Sequence, residues 1–208
     1  MFGVIAAVIL LTACSGSGYV PVAGDLLFQV AGGSEFSAAI ADATASADSL
    51  KFAHVAIVAI DDDGLPYVVE ASGRDGVVRT TWDDFLSQSP KVNGRPGVVI
   101  MRVTGEFSAS EAIARAESHL GEEYDWWYTP DNGKMYCSEL VYESFLTADG
   151  SHLFTARPMN FRSADGSMPA FWEQLFAELG EPVPEGLPGT NPNDMSKDPV
   201  LTEICRMF

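Results

Sequence analysis

Hydrophobic and polar positions divide the chain into short apolar runs that are separated by turn residues. The run FAHVAIVAI (52–60) is apolar on both faces, which is typical of a central strand covered on two sides. The turn cluster DDDGLP and then YVVEA (67–71) follow it, so these two runs predict a β-hairpin. PVAGDLLFQV (21–30) and GVVIMRV (97–103) predict further strands.

Helical spacing of apolar residues is concentrated in the second half of the chain. Ser108 and Glu111 are spaced as a capping box, which predicts the start of a helix. Gly121 is a stop signal and predicts where that helix ends. Other helices are predicted in FSAAIADATAS (36–46), CSELVYESFL (137–146) and MPAFWEQLFAEL (168–179), and VVRTTWDDFLSQ (77–88) predicts a strand that runs into a short helix. The Pro- and Gly-rich tail from residue 180 is predicted to extend over the surface. We therefore expect an α+β fold in which an antiparallel sheet packs against helices.

The N-terminal segment has the pattern of an export signal. Residues 1–13, MFGVIAAVILLTA, carry no charged side chain, and the LTAC sequence that ends at Cys14 is similar to a bacterial lipobox, whose cysteine is acylated. The SGSG run after it predicts a flexible tether. We expect a lipoprotein signal peptide at 1–13, a tether at 14–20 and one domain at 21–208, anchored through Cys14 to a membrane of the bacterial cell envelope. The alternative is that the apolar segment is the first buried element of the fold.

Charge and cysteine content narrow the possible partners. The net charge is −17, from 29 acidic and 12 basic residues, and such a chain would repel the phosphate backbones of nucleic acids. No nucleic-acid partner is therefore expected. Besides Cys14 the chain has Cys137 and Cys205, which could form a disulfide in an oxidising compartment. Their spacing does not predict a metal site, and no cofactor is expected.

Cys137 stands at the predicted start of a helix. Unpaired backbone N–H groups and the helix dipole at that position stabilise a thiolate, and the same groups can hold an oxyanion. Cys137 is therefore a candidate nucleophile. The alternative is a small apolar side chain in the core, because free cysteine is among the residues that are most often buried.

A cysteine nucleophile needs a base within hydrogen-bonding reach, and the chain offers His54, His119 and His152. His119 lies in a charged helix and is interpreted as a surface residue, while His152 follows a predicted loop. His54 interrupts an otherwise apolar strand, where an imidazole without a partner would be costly to bury. It is the preferred base, although a core histidine bonded to a backbone carbonyl is the alternative.

The predicted hairpin supplies a partner for His54. If Ala59 pairs with Tyr67, then Ala56 faces Glu70, and Glu70 lies diagonally next to His54 on one face of the sheet. A carboxylate there accepts a hydrogen bond from one ring nitrogen and leaves the other nitrogen for a thiol. A register slip by one residue would place Glu70 on the opposite face. The alternative for Glu70 is a strand-end residue exposed to water.

The order of these segments carries a family resemblance. GDLLFQ (24–29), FAHVAIV (52–58), YVVEA (67–71) and YCSELVYESF (136–145) together resemble the YiiX-like branch of the NlpC-type, papain-like cysteine hydrolases. In that branch, which is circularly permuted, the histidine strand precedes the cysteine helix. The resemblance extends over about residues 20–200 and implies a permuted papain-like fold with the nucleophile at a helix N-terminus.

The resemblance implies roles for individual residues. Cys137 would be the nucleophile, His54 the base and Glu70 the group that orients the base. Tyr124 matches the tyrosine that family members place beside the catalytic thiol, where its hydroxyl helps to bind the substrate carbonyl. Members that act on cell walls usually have Gly after Cys-Ser and a Gly-Gly turn, whereas this chain has Glu139 and the Trp126-Trp127 pair. Trp126 and Trp127, with the adjacent tyrosine, are interpreted as the wall of an apolar cleft, with core aromatics as the alternative.

Three functions follow from these assignments. The first is a cysteine hydrolase with a Cys-His-Glu triad that cleaves an amide bond in a peptide or an amino-acid amide through an acyl-enzyme at Cys137. The second is a lipid ester or thioester hydrolase, or an acyltransferase, that uses the same triad. The third is a non-catalytic envelope lipoprotein that binds peptide or lipid. The expected partners are accordingly a small-molecule, peptide or lipid substrate and the membrane.

Overall fold

The computed structural model describes residues 18–44 and 50–208. Its strands are β1 (Leu26–Val30), β2 (Phe52–Ile60), β3 (Pro66–Ser72), β4 (Gly76–Thr81), β5 (Lys91–Val92), β6 (Arg95–Pro96), β7 (Val98–Val103), β8 (Arg157–Pro158), β9 (Pro188–Gly189) and β10 (Leu201–Arg206). Its helices are α1 (Glu35–Thr44), α2 (Trp82–Gln88), α3 (Ala109–Ser118), α4 (Cys137–Ser144), α5 (Ala170–Leu179) and α6 (Pro192–Met195). The expected α+β class is confirmed.

Within the described residues, six strands form one antiparallel sheet in the order β10-β7-β1-β2-β3-β4. The strand β2 lies in the interior of the sheet, as its apolar sequence predicts. The hairpin of β2 and β3 pairs Ala59 with Tyr67 and Ile57 with Val69. This is the predicted register, and it fixes which side chains of the two strands share a face.

Both faces of the sheet are covered. On one face, Val55 and Ile57 of β2 pack in a core cluster that includes Leu140 and Val141 of α4. On the other face, a smaller cluster contains Phe85 of α2 together with apolar residues of β2 and β3. Coverage on two sides explains why β2 has no simple alternation of polar and apolar residues.

The predicted helix bounds agree with the observed ones to within about three residues, and the starts of α2 and α3 carry side-chain caps. The Thr81 side chain accepts a hydrogen bond from the backbone N–H of Asp84 at the start of α2, and the Ser108 side chain accepts one from that of Glu111 at the start of α3. The helix α3 ends at Ser118, three residues before the predicted stop, and α4 ends two residues before its predicted end. Fraying of terminal turns makes such ends hard to read from a sequence.

The tail departs from its predicted surface path. It contains the short helix α6 and the strand β10, which pairs with β7 at an edge of the sheet. Asn193 of α6 is fully buried and uses its side chain to bond both the backbone N–H and the C=O of Phe52, each at 2.7 Å. The amide thus replaces a strand partner at the start of β2, which Pro and Gly content alone could not reveal.

The N-terminal predictions fall mostly outside the described residues. The proposed signal peptide and the lipidation candidate Cys14 lie outside them. Tyr19, within the predicted tether, donates a hydrogen bond to Asp25 at 2.7 Å, and Arg102 bonds the same buried carboxylate through two nitrogens at 2.6 and 2.8 Å. Among the helices of residues 18–44 and 50–208, none combines the length and the apolar character that crossing a bilayer requires.

Candidate active site

His54 and Glu70 form a hydrogen-bonded pair on neighbouring strands. His54 Nε2 lies 2.7 Å from Glu70 Oε2. The observed register of the hairpin explains this contact, because its continuation places Ala56 opposite Glu70 and His54 diagonally beside it. Since Nε2 is hydrogen-bonded to Glu70, the other ring nitrogen of His54, Nδ1, is available for a second partner.

Thr80 completes the surroundings of the Glu70 carboxylate. Its hydroxyl donates a hydrogen bond of 2.6 Å to Glu70 Oε1, so both carboxylate oxygens are bonded to side chains. In the pairing of β3 and β4, Glu70 lies opposite Val78, and Thr80 is two residues farther on the same face. Thr80 was not among the site residues predicted from the sequence. The β3–β4 register would have been the signal to find it, since it brings a hydroxyl to the correct face.

Cys137 is the first residue of α4, as the sequence predicts. It is a free thiol with 3% of its surface exposed, so it does not form the disulfide with Cys205 that the sequence permits. His54 bonds Glu70, and Cys137 lies close enough to His54 to be one of the groups that raise the pKa of the imidazole. The structure therefore brings together the three residues that the sequence analysis singled out, in the spatial order Cys137, His54, Glu70.

The protonation of this cluster follows from its contacts. Burial by itself would lower the pKa of His54, but the interactions of the imidazole with Cys137 and Glu70 outweigh burial and raise the pKa to about 10. Burial alone would raise the pKa of Glu70, whereas its bonds with His54 and Thr80 hold that pKa below its ordinary value. Around neutral pH the pair is therefore an imidazolium next to a carboxylate.

Glu139, where cell-wall members have Gly, closes the first turn of α4. Its carboxyl accepts a hydrogen bond from the backbone N–H of Tyr136 at 3.3 Å. Burial raises the pKa of Glu139 to about 8. At neutral pH this side chain is consequently mostly protonated, and it adds little negative charge near the thiol of Cys137.

Two cavities meet at the cluster. A cleft of about 910 Å³ is lined by His54, Glu70 and Thr80, and Trp126 forms part of its wall. An inner pocket of about 50 Å³ is lined by Cys137 on the side of the α4 N-terminus. The nucleophile candidate therefore opens to the inner pocket, whereas the base candidate opens to the cleft.

Tyr124 contributes to the walls of both cavities. It is 5% exposed, and its ring packs against Trp126 with centroids 4.7 Å apart. Burial raises the pKa of Tyr124 well above its ordinary value, so the hydroxyl keeps its proton and can act as a donor. Tyr124 and Cys137 thus line the same pocket.

Trp126 and Trp127, which were predicted to share a cleft wall, have different surroundings. Trp126 lines the cleft and packs against Phe36 with ring centroids 5.0 Å apart. Trp127 lines neither cavity, and the ammonium group of Lys134 lies 5.3 Å from its ring centroid. The reason is the buried side chain of Asp125, which accepts a hydrogen bond of 2.9 Å from the backbone N–H of Trp127 and fixes the turn.

The other two histidines lie away from the cluster. His119 Nδ1 is 3.0 Å from a carboxylate oxygen of Glu122, and His152 Nε2 is 3.2 Å from one of Glu143. Neither histidine lines the cleft or the inner pocket. Among the residues that the structure describes, no three side chains of His, Cys, Asp or Glu are grouped so that they could hold a metal ion.

A sheet whose histidine strand precedes a helix that begins with cysteine defines the permuted class of papain-like proteins. The model of the permuted papain-like amidase enzymes, the YaeF/YiiX or C92 family, matches residues 20–205. The chain therefore belongs to this family of cysteine amidases. Family membership implies a small-molecule or peptide substrate.

Two similar proteins come from Escherichia coli. The uncharacterized protein YiiX of strain K12 is 26% identical over 189 residues, which cover 89% of this chain and 87% of YiiX. A crystal structure of YiiX from strain O157:H7, which is described as a metalloprotein, has a TM-score of 0.71 at 25% identity. That match covers 90% of this chain and 98% of the other.

Proposed function

We propose that this protein is a cysteine hydrolase that cleaves an amide bond through an acyl-enzyme at Cys137. The observation that carries the proposal is the grouping of Cys137, His54 and Glu70, in which His54 bonds Glu70 at 2.7 Å and Cys137 is close enough to raise the pKa of His54. A nucleophile, a base and a group that orients the base are the parts that this chemistry requires.

In the proposed reaction His54, the imidazolium described above, already holds the proton that Cys137 gives up, and the thiolate sulfur forms a bond with the substrate carbonyl carbon. Backbone N–H groups in the first turn of α4 and the hydroxyl of Tyr124 stabilise the oxyanion. The C–N bond then breaks while His54 gives its proton to the leaving amine. A water molecule next attacks the thioester and loses a proton to His54, and cleavage of the C–S bond releases the carboxylic acid and restores the thiolate beside protonated His54.

The size of the inner pocket is consistent with a substrate whose acyl group is short. One water molecule occupies roughly 10–15 Å³ of such space, so the pocket of about 50 Å³ holds only a few heavy atoms. Four of the buried polar atoms that lack a hydrogen-bond partner among the described residues belong to residues of its wall: Tyr128 Oη, Ser138 Oγ, Trp172 Nε1 and Thr190 Oγ1. These groups would bond polar atoms of the acyl group. The size of the pocket thus favours an amide with a short polar acyl part over a fatty acyl ester or thioester.

Replacement of single residues tests the proposal. We expect Cys137→Ala and His54→Ala to abolish release of amine from a panel of amino-acid amides and short peptides. The matched control is His119→Ala, which removes an imidazole that lines neither cavity. Amide turnover that survives in Cys137→Ala would refute the mechanism. Cleavage of p-nitrophenyl palmitate in preference to every amide would support the lipid reaction instead.

We also propose that the chain is exported and anchored to the cell envelope through lipid on Cys14. The proposal is supported by the apolar segment 1–13 and by the LTAC sequence that follows it. Radiolabelled palmitate should be incorporated into the wild-type chain expressed in a bacterium and not into Cys14→Ser. Equal labelling of the two chains, or none in the wild type, would refute the anchor.

A further inference from the structure

We propose that Thr80 is a positioning residue, whose hydroxyl holds the Glu70 carboxylate in the orientation that directs His54 toward Cys137. The inference rests on the proposed function of the cluster. Its structural basis is the hydrogen bond of 2.6 Å from Thr80 Oγ1 to Glu70 Oε1, on the opposite side of the carboxylate from His54.

The two hydrogen bonds restrict Glu70 in different ways. A carboxylate that bonds His54 alone can rotate about its last side-chain bond and exchange one oxygen for the other. With Oε1 bonded to Thr80, only Oε2 remains for His54 Nε2. The hydroxyl therefore fixes the plane of the carboxylate and, through it, the plane of the imidazole.

The direction of the hydrogen bonds also selects the protonation state. Ionised Glu70 can only accept, so the Thr80 hydroxyl must donate to it and His54 Nε2 must carry a proton. The nitrogen that faces Cys137 is then Nδ1. A hydroxyl that donates to a carboxylate favours the ionised form, and the Thr80 hydrogen bond contributes to the lowered pKa of Glu70.

Few other groups act on this pair. Among the described residues, the side-chain hydrogen-bond partners of the Glu70 carboxylate are His54 and Thr80. Asp75 and Arg74, in the turn between β3 and β4, interact with Glu70 only through their charges and bond each other at 2.8 Å. On the far side, His54 faces Cys137 of α4.

The test compares Thr80→Val, which removes the hydroxyl at nearly constant volume, with Thr80→Ser, which retains it. The control Thr202→Val makes the same change at an exposed position of β10. For each variant, kcat, KM and the pH profile are measured on an amide that the wild type cleaves, together with the unfolding temperature.

For Thr80→Val we expect kcat to fall about tenfold with little change in KM, as is typical when a supporting hydrogen bond is lost. The acidic limb of the pH profile should move to higher pH, because Glu70 is protonated more easily without the hydroxyl. Thr80→Ser should restore most of both properties, and Thr202→Val should behave as the wild type. Wild-type kcat and an unmoved acidic limb in Thr80→Val, or a Thr80→Ser variant as defective as Thr80→Val, would overturn the inference.

A second readout separates failure of this inference from failure of the proposed function. The rate at which iodoacetamide alkylates Cys137, followed across pH by mass spectrometry of the peptide that contains it, needs no substrate. If the wild type shows no turnover that depends on Cys137, the proposed function fails, but the alkylation profile still tests Thr80. An alkylation profile that is the same in wild type and Thr80→Val refutes the role of Thr80, whereas a shift that Thr80→Ser reverses supports it.

Discussion

The exchange Glu70→Gln is the most direct probe of the electrostatics of the site. It retains the shape of the side chain and removes the charge that lies next to His54. The amide can still bond Thr80, so the packing of β3 against β4 is expected to be conserved. What changes is the partner of His54 Nε2, which becomes a neutral amide whose NH₂ group can also donate.

The structure gives the size of the expected effect. Interactions with Cys137 and Glu70 overcome burial and raise the pKa of His54 from 6.5 to about 10. A hydrogen bond to a charged group contributes about 1.5–3 kcal/mol. Because one pKa unit corresponds to about 1.4 kcal/mol, the pKa of His54 in Glu70→Gln should fall by about one to two. An amide that donates to Nε2 also stabilises the wrong tautomer, so kcat/KM at pH 7 should fall by about 10²- to 10⁴-fold.

The assay is the pH dependence of kcat/KM for an amide substrate. Its alkaline limb reports loss of the proton that His54 gives to the leaving amine, so this limb should move from about 10 in the wild type to lower pH in Glu70→Gln. The control Glu122→Gln removes the carboxylate that pairs with His119, outside both cavities, and should leave the profile unchanged. An alkaline limb and a kcat/KM in Glu70→Gln that match those of the wild type would refute the reasoning.

Three further predictions concern stability and substrate binding. The raised pKa of His54 stabilises the folded protein fully below pH 6.5, and this stabilisation is lost as the pH rises toward 10. The lowered pKa of Glu70 stabilises the folded protein above pH 4.5, and this stabilisation is lost as the pH falls below that value. Urea unfolding should therefore show the largest difference between wild type and Glu70→Gln between pH 4.5 and 6.5, and a difference that does not depend on pH would contradict this. Asn193→Ala leaves buried backbone groups of β2 without partners and should lower the free energy of unfolding by about 3 kcal/mol, whereas a loss under about 1 kcal/mol would show that the amide is dispensable. Trp126→Ala should raise KM about 3- to 10-fold, and the same change at Trp127, outside the cavities, should not.

Much of the sheet and the helix starts could be predicted because the signals are local. The strand β2 was predicted from its apolar sequence, and the hairpin has the register that was set as a condition, with Ala59 opposite Tyr67. That register then predicted that His54 and Glu70 share a face, which the bond of 2.7 Å confirms. The start of α3 was marked by the capping residue Ser108, whose bond with the backbone of Glu111 lies within one turn of the helix.

Other features had no local signal. The strand β10 pairs with β7, which lies about a hundred residues earlier in the chain, and its sequence gives no indication of that partner. In the sequence, Asn193 cannot be distinguished from the other polar residues of the Pro-rich tail, although its side chain bonds the backbone at the start of β2. Trp126 and Trp127 are adjacent and identical, so only the bonds that Asp125 makes in the folded loop decide which of them lines the cleft.

The sequence by itself determined the chemical groups of the site and the contacts that depend on short separations. These are a cysteine at the start of a helix, a histidine within an apolar strand, and a hairpin that pairs this histidine with a carboxylate. The tertiary structure decided that α4 packs against the sheet so that Cys137 meets His54, that Thr80 reaches the second oxygen of Glu70, and that the thiol opens to a small pocket. The physical reason is that local periodicity and turn geometry fix neighbours within an element or a hairpin, whereas contacts between distant elements depend on how all the apolar faces are buried at once.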